Sequence, residues 1–532
     1  MTVNTQSTGI GAEGDGALDV SQRKDVDLLH SKAVGLIGVL FLTLTGAAPI
    51  SAMLFNVPIV AGNGNGLFAP AAFLVATIIL LVFSVGYAAM AGKVSAVGGF
   101  YSFISHGLGR ELGMATGLSA VVAYSVFEPS LAGGFAYFMN AKLIQLFNVN
   151  VPWPYLALGM IAAGAVLTYF DVQISAAILG VALVAEVAIL LIFDVGVFGH
   201  AGHGAYVSVA ALNPVGAFQG FPAIGKLTAG AAGIGLFFAF WSWVGFEMAP
   251  NYAEESRDPK RIVPLALYIS VTLLGIFYTV TSWAAISGFS NATDLITEGQ
   301  NNPATFFFDT SSRLIGPWST SIMSYLILTS SFACAMAFHN TAARYIYSLG
   351  RERVLPAILG KTHSRYKTPY VASFLQSIAA AAVIIAFAVF VGSNDPTGQA
   401  YGQVYGLMAL LGTILILSAQ ALVSVAIIVY FRTHHPEDHH WWKTLVAPLL
   451  AFVAQVYVLW LCASHMDFLG GGFPFANYIA WIDVGVFVLG LVGAFAIKAT
   501  NPTKFDQIGR LIYQGVPDGM LADAEHAQGL KP

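Results

Sequence analysis

Hydrophobic residues in this chain collect in long runs, separated by short polar or charged stretches. A helix needs about 20 mostly apolar residues to cross roughly 30 Å of hydrocarbon, so runs of this length predict membrane-spanning helices. Twelve such runs can be counted, at about 34–61, 68–92, 113–139, 154–170, 174–198, 227–252, 264–288, 317–345, 369–392, 404–431, 444–464 and 475–498. The fourth run is at the short end of a span, and only Asp171–Gln173 separates it from the fifth.

Two of the runs are interrupted near their middle by residues that weaken a helix. The first contains Thr43–Pro49, and the sixth contains Phe240–Glu247 with a glycine and a carboxylate. An unwound turn is tolerated at membrane depth only where it is buried in protein or lines a cavity, and there its free backbone groups can bind a ligand. The matched pair of interruptions therefore predicts one midplane binding site made by both helices.

The position of the interruptions also predicts how the chain is organised. If spans one to five form one unit and spans six to ten another, the odd number of crossings in each unit forces the two to lie inverted in the membrane. The predicted fold class is an all-α polytopic membrane protein with a 5+5 inverted repeat and two additional helices. The predicted parts are a disordered cytosolic tail at 1–32, the repeats at 33–198 and 227–431, two further spans within 444–498 and a second tail at 499–532.

Composition supports a membrane protein and excludes several other classes. The chain is 57% hydrophobic and only 9% charged, whereas soluble domains carry roughly a quarter charged residues. The net charge of -4 does not indicate a nucleic-acid partner. Both cysteines, Cys334 and Cys462, fall inside apolar runs, which argues against a disulfide framework. The residues before Val34 lack the apolar stretch of a cleavable signal peptide.

The basic residues predict the orientation of the chain in the bilayer. With the amino terminus inside, twenty of the 23 Lys and Arg residues fall in cytosolic segments, and only Lys142, Lys226 and Arg313 lie on the opposite side. Positively charged residues are concentrated on the cytosolic side of membrane proteins. We therefore expect a multi-pass protein of the cytoplasmic membrane with both termini in the cytosol.

Several motifs at the ends of the spans resemble those of a known family. They are Gly245–Glu247, Glu254–Glu255, Asp258–Pro259 and Ile262–Pro264 around the sixth span, Tyr87–Met90 and Gly98–Tyr101 after the second, and Asn340–Arg344, Leu349–Arg351 and Lys367–Tyr370 after the eighth. Together they resemble the amino acid/polyamine/organocation permeases, which have the leucine-transporter-like fold. The signature after the second span departs from the family pattern, with Ala89 where an acidic residue is usual and Ser95 where a proline is usual.

Within the sixth span, the stretch Trp241–Glu247 is similar to the corresponding motif of arginine/agmatine antiporters. That resemblance implies that Trp241 stacks on substrate and that Glu247 takes part in proton-dependent gating. An indole face in a dehydrated pocket attracts a cation by roughly 1 to 2 kcal/mol, so the first role is physically reasonable. The alternative for Trp241 is a packing or interfacial aromatic.

A zwitterionic substrate needs a partner for each of its charges at membrane depth. The N–H groups of a broken helix and the positive end of its dipole can hold a carboxylate, and free carbonyls can hold an ammonium. We predict that Thr45, Gly46 and Ala47 bind the carboxylate and that carbonyls near Phe240 and Ser242 bind the amine. Glycine allows close backbone approach at both interruptions, at Gly46 in the first and at Gly245 in the second.

Three further acids, Glu128, Glu186 and Asp194, lie within apolar runs. Intramembrane acids mark functional sites by default. Glu128 is predicted to face the pocket, where it would favour a cationic end of a substrate or take the coupled proton; the alternative is a structural pair with another helix. Some relatives couple to protons through a lysine in the fifth span, and Glu186 lies near that position here.

Proton coupling through Glu247, Glu128 or Glu186 is the leading expectation, because burial lets a carboxyl group keep its proton at higher pH. Sodium coupling, for example through Thr329 and Ser331 of the eighth span, is left open.

These observations predict a secondary transporter that takes up an amino acid or related organic amine by alternating access, coupled to protons. The alternatives are an exchanger and, from a different class, a transporter-like nutrient sensor. No phosphate-binding loop, nucleophile constellation or zinc spacing occurs in the sequence, so we expect no enzyme activity, no cofactor and no metal. The histidines at 434, 435, 439 and 440 are interpreted as part of a solvated cytosolic loop.

Overall fold

The structure is a computed structural model that describes residues 18–19, 34–94, 98–170, 172–253, 256–363, 366, 368–466, 470, 473–506, 508–509 and 511–512. Most of the two predicted tails lies outside the described residues. The same holds for Ser95, Asp171, Lys367 and the pair Glu254–Glu255 of the sequence motifs.

The described chain is almost entirely helical, which confirms the predicted all-α class. The α-helices are α1 Leu36–Ala47, α2 Pro49–Ile59, α3 Ala69–Ala91, α4 Gly99–Leu108, α5 Arg110–Phe147, α6 Trp153–Phe170, α7 Val172–Gly199, α8 Ala232–Trp243, α9 Pro259–Ser287, α10 Ala292–Asn301, α11 Phe306–Leu314, α12 Pro317–Arg351, α13 Tyr370–Phe390, α14 Gly406–Thr433, α15 Ala447–Ala463, α16 Ala476–Thr500 and α17 Pro502–Phe505.

Shorter elements join these helices. Segments with a tighter or wider helical winding are Val60–Gly64, Gly66–Phe68, Val209–Leu212, Pro214–Phe218, Phe246–Tyr252, Ala357–Gly360, Pro396–Tyr405, Pro436–Asp438 and Trp441–Val446. Two strands of two residues each, β1 Leu18–Asp19 and β2 Leu511–Ile512, pair in parallel. This pairing brings the two tails together on one side of the molecule.

The helices reproduce the predicted spans. Eleven helical segments of the described chain are long and apolar enough to cross a membrane, including Leu36–Gly64 around the first interruption and Ala232–Tyr252 around the second. The remaining predicted span, the fourth, corresponds to α6, which is apolar but has only 18 residues. The run that is shortest for a membrane span in the sequence is thus also the shortest of the twelve spans in the structure.

The first interruption separates α1 from α2 at one residue. Ala48 has φ 42° and ψ 74°, in the left-handed region that an alanine rarely adopts. Pro49 follows, and a proline disfavours the α conformation of the residue before it and cannot donate a backbone hydrogen bond. The sequence Ala-Pro therefore ends α1 and lets α2 begin in a new direction.

The second interruption separates α8 from the tighter turns of Phe246–Tyr252. Val244 is extended, with φ -58° and ψ 124°, and Gly245 has φ 127°. Residues other than glycine are strongly disfavoured at that φ. A Cβ placed on Gly245 would lie 2.6 Å from the carbonyl carbon of Gly46. The two interrupted helices therefore touch backbone to backbone at their breaks, as the paired pattern predicted.

Around these breaks, α5 serves as the central packing element. It is 38 residues long and packs against α4, α12, α14 and α16. Its buried side includes Tyr124, Phe127 and Glu128 together with the interior proline Pro129. On the predicted outer side, α11 buries Phe306 and Phe307.

On the predicted cytosolic side, the end of the described chain folds back over α4. Phe505 of α17 is buried, and Arg110 at the start of α5 forms an ion pair of 2.7 Å with Asp506. Gly509 donates its N–H to the Tyr101 hydroxyl and to the Glu352 carboxylate, both at 3.0 Å. Tyr101 also donates to Glu352, so α4 and the end of α12 are joined through the tail.

Candidate substrate-binding site

A small cavity lies at the two breaks, between α1, α2, α5, α8, α12 and the residues that precede α14. Its lining consists of Gly46, Ala47, Ala48, Ser51, Ala52, Phe55, Asn56, Leu131, Trp241, Ser242, Val244, Cys334, Phe338 and Tyr405. The free volume is about 20 Å³, which is room for about one water molecule. Aromatic side chains must therefore move before a small organic molecule can enter. Within the described residues, no side chain that lines this cavity is charged.

The polar side chains of the lining are connected in one chain of hydrogen bonds. The indole N–H of Trp241 donates to the Tyr405 hydroxyl at 2.8 Å, and that hydroxyl donates to Oδ1 of Asn56 at 2.5 Å. Asn56 donates to Oγ of Ser242 at 2.7 Å, and Ser242 donates to the carbonyl of Phe238 at 2.8 Å. The chain joins α2 and α8 to the segment before α14, on the side of the cavity towards α2.

Tyrosines before α14 also hold this side closed. Tyr401 donates its hydroxyl to the carbonyl of Phe55 at 2.5 Å. The rings of Tyr401 and Tyr405 are stacked, with centroids 5.5 Å apart and an interplanar angle of 2°. Trp241 itself packs on Phe127 with a centroid distance of 4.5 Å. The cavity is thus walled by aromatic rings on the side where it meets α2 and α14.

On the other side of the breaks, Glu247 is buried and fully engaged. Its Oε1 accepts a hydrogen bond from the Tyr124 hydroxyl at 2.8 Å, and its Oε2 accepts from the backbone N–H of Gly245 at 2.9 Å. The Tyr87 hydroxyl donates to the Glu247 carbonyl at 3.2 Å. Tyr124 stacks on Tyr345 with centroids 5.5 Å apart. Glu247 therefore binds its own break to α5 within a layer of tyrosines.

Glu186 on α7 is placed in a comparable way at the first break. Its Oε2 accepts from the Ser330 hydroxyl of α12 at 2.7 Å and from the backbone N–H of Ile50 at 3.5 Å, in the first turn of α2. The two hydroxyls considered for sodium do not take part. Ser331 donates to Ile327 in its own helix, and Thr329 is exposed and donates to Leu326.

Glu128 turns away from the cavity. Its Oε2 lies 2.9 Å from Nδ1 of His339 and accepts from Nε2 of Gln376 at 2.9 Å. The second ring nitrogen of His339 lies 2.7 Å from Oγ of Ser373, which in turn lies 3.2 Å from the Thr168 hydroxyl. Glu128 thus belongs to a buried polar network, hereafter the Glu128 network, that joins α5, α12, α13 and α6.

The structure brings together only some of the residues that the sequence singled out. Gly46, Ala47, Trp241 and Ser242 line the cavity. Thr45 and Phe240 are buried beside it but do not line it, and Gly245 contacts Gly46 behind it. Glu247 and Glu186 flank the breaks, and Glu128 points into its own network.

Several lining residues were not identified from the sequence. They are Ala48, Ser51, Ala52, Phe55, Asn56, Leu131, Val244, Cys334, Phe338 and Tyr405. Ser51 and Asn56 carried a usable signal, because they are polar residues within the apolar run that follows the first interruption. Leu131, Phe338 and Tyr405 carried none, since apolar and aromatic residues are common on every face of a membrane helix.

Two other intramembrane carboxylates lie away from the cavity. Asp194 on α7 accepts from the Thr281 hydroxyl of α9 at 2.8 Å. Asp483 on α16 is buried, and neither of its oxygens has a hydrogen-bond partner in the described part of the chain. Asp483 lies within the twelfth apolar run and was not among the acids predicted to have a role.

The loop after α14 contains a potential metal-ligand group, since ligand atoms of His435, Glu437 and Asp438 lie within 4.8 Å of one another. These side chains already have partners: Asp438 forms an ion pair of 2.5 Å with Lys93, and His435 lies 3.0 Å from Glu437. This pairing agrees with the interpretation of a solvated loop.

The amino-acid sequence matches a known family over most of the chain. The sequence profile described as amino acid permease matches residues 34–495. The chain belongs to the amino acid permease family. This confirms the resemblance noted in the sequence and makes the permease a multi-pass membrane transporter and not an enzyme.

Individual relatives of the permease differ in what they carry. It is 22% identical to the branched-chain amino acid permease BcaP of Bacillus subtilis (strain 168), over 87% of this chain and 90% of that protein. It is 22% identical to the methylthioribose transporter of the same organism over 47% of this chain and 48% of that protein. It is also 22% identical to the low-affinity putrescine importer PlaP of Escherichia coli (strain K12), over 64% of this chain and 71% of that protein.

Proposed function

We propose that this permease takes up an amino acid or a related organic amine across the cytoplasmic membrane by alternating access, coupled to protons. The substrate binds in the cavity between the two helix breaks, and a buried carboxylate carries the coupled proton. Each relative named above transports a small organic molecule according to its name. Their names differ in substrate, so the choice among substrates has to come from the site itself.

The observation that carries the proposal is that each break offers a backbone N–H to a buried carboxylate. Ile50 at the first break donates to Glu186, and Gly245 at the second donates to Glu247. When such a carboxylate takes up a proton, it loses its charge and becomes a weaker acceptor for that N–H. Protonation therefore changes the hydrogen bonding of the two backbone segments that form the cavity.

The surroundings of both carboxylates leave them free to respond to pH. The titratable groups that face Glu186 are the thiol of Cys334 on α12 and the phenol of Tyr278 on α9. Those that face Glu247 are the phenols of Tyr87, Tyr124 and Tyr345. Thiols and phenols are neutral near pH 7. Among these described neighbours, none supplies a cation that would hold either carboxylate in its charged form.

Two sets of hydrogen bonds support alternating access. The chain from Trp241 through Tyr405 to Asn56 closes the cavity towards α2, and the tyrosines around Glu247 close it on the other side. Closure on both sides of a small site, with contacts that can open separately, is what alternating access requires. The concentration of basic residues and the pairing of β1 with β2 support cytosolic termini on one common side.

Transport by the purified protein in liposomes tests the proposal. Labelled amino acids and amines are offered with the outside acidic and the inside neutral, and again without a pH gradient. We expect accumulation against a concentration gradient only when the outside is acidic. Movement of none of them would contradict the function. Uptake that needs internal substrate and ignores the gradient would indicate an exchanger, and binding without movement would indicate a sensor.

Variants then locate the proton. Glu186→Gln and Glu247→Gln are compared with Asp483→Asn, which neutralises a buried carboxylate that does not line the cavity. We expect the variant of the coupling residue to lose gradient-driven accumulation and to keep exchange of internal for external substrate. Asp483→Asn should keep both. Gradient-driven accumulation by both glutamine variants would remove the coupling role from these two residues.

A further inference from the structure

We propose that three residues after the last span, Phe505, Asp506 and Gly509, form a clasp that holds the cytosolic side of the permease closed. Release of this clasp limits how often the substrate cavity opens to that side. The inference rests on the alternating access of the proposed function and adds an element that regulates it. In the structure the cavity is too small for a substrate, and the clasp contacts are formed.

The first part of the clasp is docked between two helix ends. Phe505 is buried, and two cations lie over its ring: the Arg110 guanidinium at the start of α5 is 5.6 Å from the ring centroid, and the Lys498 ammonium near the end of α16 is 5.2 Å from it. Asp506 forms an ion pair of 2.7 Å with Arg110, and Glu111 forms one of 2.6 Å with Lys498. A cation over an aromatic face is attracted to the ring. These contacts bind the chain after α16 to the beginning of α5.

The second part of the clasp is the backbone of Gly509. Its φ of 70° is in the left-handed region, and a Cβ placed on it would lie 2.4 Å from the Cβ of Ser105 on α4. Its N–H is shared between the Tyr101 hydroxyl on α4 and the Glu352 carboxylate directly after α12, both at 3.0 Å. Glycine thus lets the tail backbone come close enough to bond to both elements.

The clasp joins two elements that also help to close the cavity. On α4, Phe100 donates its backbone N–H to the hydroxyl of Tyr345 on α12 at 3.3 Å. Tyr345 stacks on Tyr124, which donates to Glu247 at the second break. The tyrosines around Glu247 therefore contact the same pair of elements that Gly509 bonds together. Any movement that separates α4 from the end of α12 must break a bond of Gly509.

The amino-terminal tail meets the same surface. β2 begins two residues after Gly509 and pairs in parallel with β1. Before α1, the carbonyl of Val34 accepts the N–H of Arg257 at 3.1 Å, after the turns that follow the second break. The tail that leads into the first broken helix is therefore bound to the chain after the second broken helix and, through β1, to the strand that follows the clasp.

The strength of these contacts suits a part that opens and closes. The pair of Arg110 and Asp506 is partly exposed, with 61% of the Asp506 side chain accessible to solvent, and exposed ion pairs contribute little. A hydrogen bond to a charged carboxylate contributes more. The clasp therefore favours the closed state without making it permanent, as repeated opening during transport requires.

A native cysteine can report the opening of the cavity. Cys334 lines the cavity and is buried, and Cys462, the other cysteine of the chain, is buried in α15 and does not line it. In the full-length protein with Cys462→Ser, a charged maleimide that does not cross membranes can react only with Cys334, and only when the cavity is open to the side of addition. The reagent is added to the cytosolic side in inside-out vesicles and, separately, to the outer side in right-side-out vesicles.

Gly509→Pro removes the N–H and disfavours the φ that the clasp needs. We expect the rate of Cys334 modification from the cytosolic side to rise at least about tenfold, the effect of one lost hydrogen bond to a charged group. The rate from the outer side should fall, because the two open states compete. Asp506→Ala should raise the cytosolic rate by about two- to threefold. The matched control is Asp438→Ala, which breaks a surface ion pair with Lys93 outside the clasp and should change neither rate.

Two results would overturn the clasp. One is a cytosolic rate that neither Gly509→Pro nor Asp506→Ala changes. The other is a rise from both sides, which would show that the variants loosen the whole fold and do not release one side. Asp506→Ala removes only a partly exposed side chain, so it decides the question even where Gly509→Pro does not fold.

The same labelling separates this inference from the proposed function. If Cys334 is modified from neither side, with or without substrate, the cavity does not open, and both alternating access and the clasp are wrong. If Cys334 is modified from each side at rates that the clasp variants leave unchanged, alternating access stands and the clasp alone is wrong.

Discussion

Glu128 and Glu247 are both buried carboxylates within membrane-spanning segments, and their partners differ in kind. Glu128 lies between His339, which can carry a charge, and Gln376, on two uninterrupted helices. Glu247 accepts from a tyrosine hydroxyl and from the N–H of Gly245, at the residue where its own helix is broken.

The difference teaches that the burial of an acid does not define its role. A carboxylate paired with histidine and glutamine between continuous helices holds those helices together, and loss of a partner leaves polar groups buried without bonds. A carboxylate at a backbone break whose hydrogen-bond donors are neutral can be protonated, because its loss of charge leaves no buried cation without a counter-charge. We expect the Glu128 network to support stability and Glu247 to support the response to pH.

The largest effect is expected for Glu128→Ala. Removal of the carboxylate leaves Nδ1 of His339 without its acceptor and leaves Nε2 of Gln376 with only the Ser125 carbonyl, so the free energy of unfolding should fall by about 3 to 5 kcal/mol. Thermal unfolding of the purified protein measures this change. Glu128→Gln, which keeps the shape, is the control and should cost less. A stable Glu128→Ala protein whose uptake depended differently on pH would assign the pH response to Glu128 and contradict a structural role for its network.

Glu247→Gln should affect transport more than stability. One coupled proton lets the accumulation ratio change by about tenfold for each pH unit of gradient, since one unit corresponds to about 1.4 kcal/mol. The glutamine cannot bind or release a proton, so the accumulation ratio should no longer respond to an acidic outside. Uptake measured at a series of external pH values tests this. A slope equal to that of the unaltered protein would move the proton to Glu186 or Glu128.

Tyr124→Phe should shift the response without abolishing it. The Tyr124 hydroxyl donates to Oε1 of Glu247 and stabilises its charged form. Without that donor the carboxylate takes up its proton at higher pH, so the midpoint of the uptake profile should move upward by about one pH unit. The aromatic ring and its stacking are retained. A downward shift, or none, would show that this hydrogen bond does not set the response.

The smallest effect is expected for His339→Asn. The asparagine amide can replace Nδ1 as a donor to Glu128 but loses the contact between Nε2 and Ser373. One lost hydrogen bond should reduce the free energy of unfolding by about 1 kcal/mol. The pH profile of uptake should stay unchanged. A flattened pH profile in this variant would assign the coupled proton to the Glu128 network and not to Glu247.

The fold was readable from the sequence because the features that determine it are local. Apolar runs gave the spans, the Ala-Pro pair at 48–49 ended α1, and Gly245 permitted a φ that other residues avoid. Each of these signals depends on neighbours in the chain and on elementary sterics, so no knowledge of the packing is needed.

The site was less readable because it depends on the direction in which each helix faces. The sequence places Glu128 within the third span, but its rotation towards His339 follows from how α5 packs against α12 and α13. Tyr405 lines the cavity at the end of the Pro396–Tyr405 segment, whose winding is wider than that of an α-helix. A helix that is apolar on all sides has no polar face to mark the side that points away from the protein core, so its facing cannot be predicted from the sequence.

The contact of Gly509 with Tyr101 has a consequence for the order in which the protein can be made. The two residues are separated by 408 positions, and almost every span is synthesised between them. Tyr101 and Glu352 can therefore bond to each other before Gly509 is made, and until then water can take the place of its N–H. The arrival of Gly509 replaces that water and ties the Tyr101–Glu352 pair to a segment made much later.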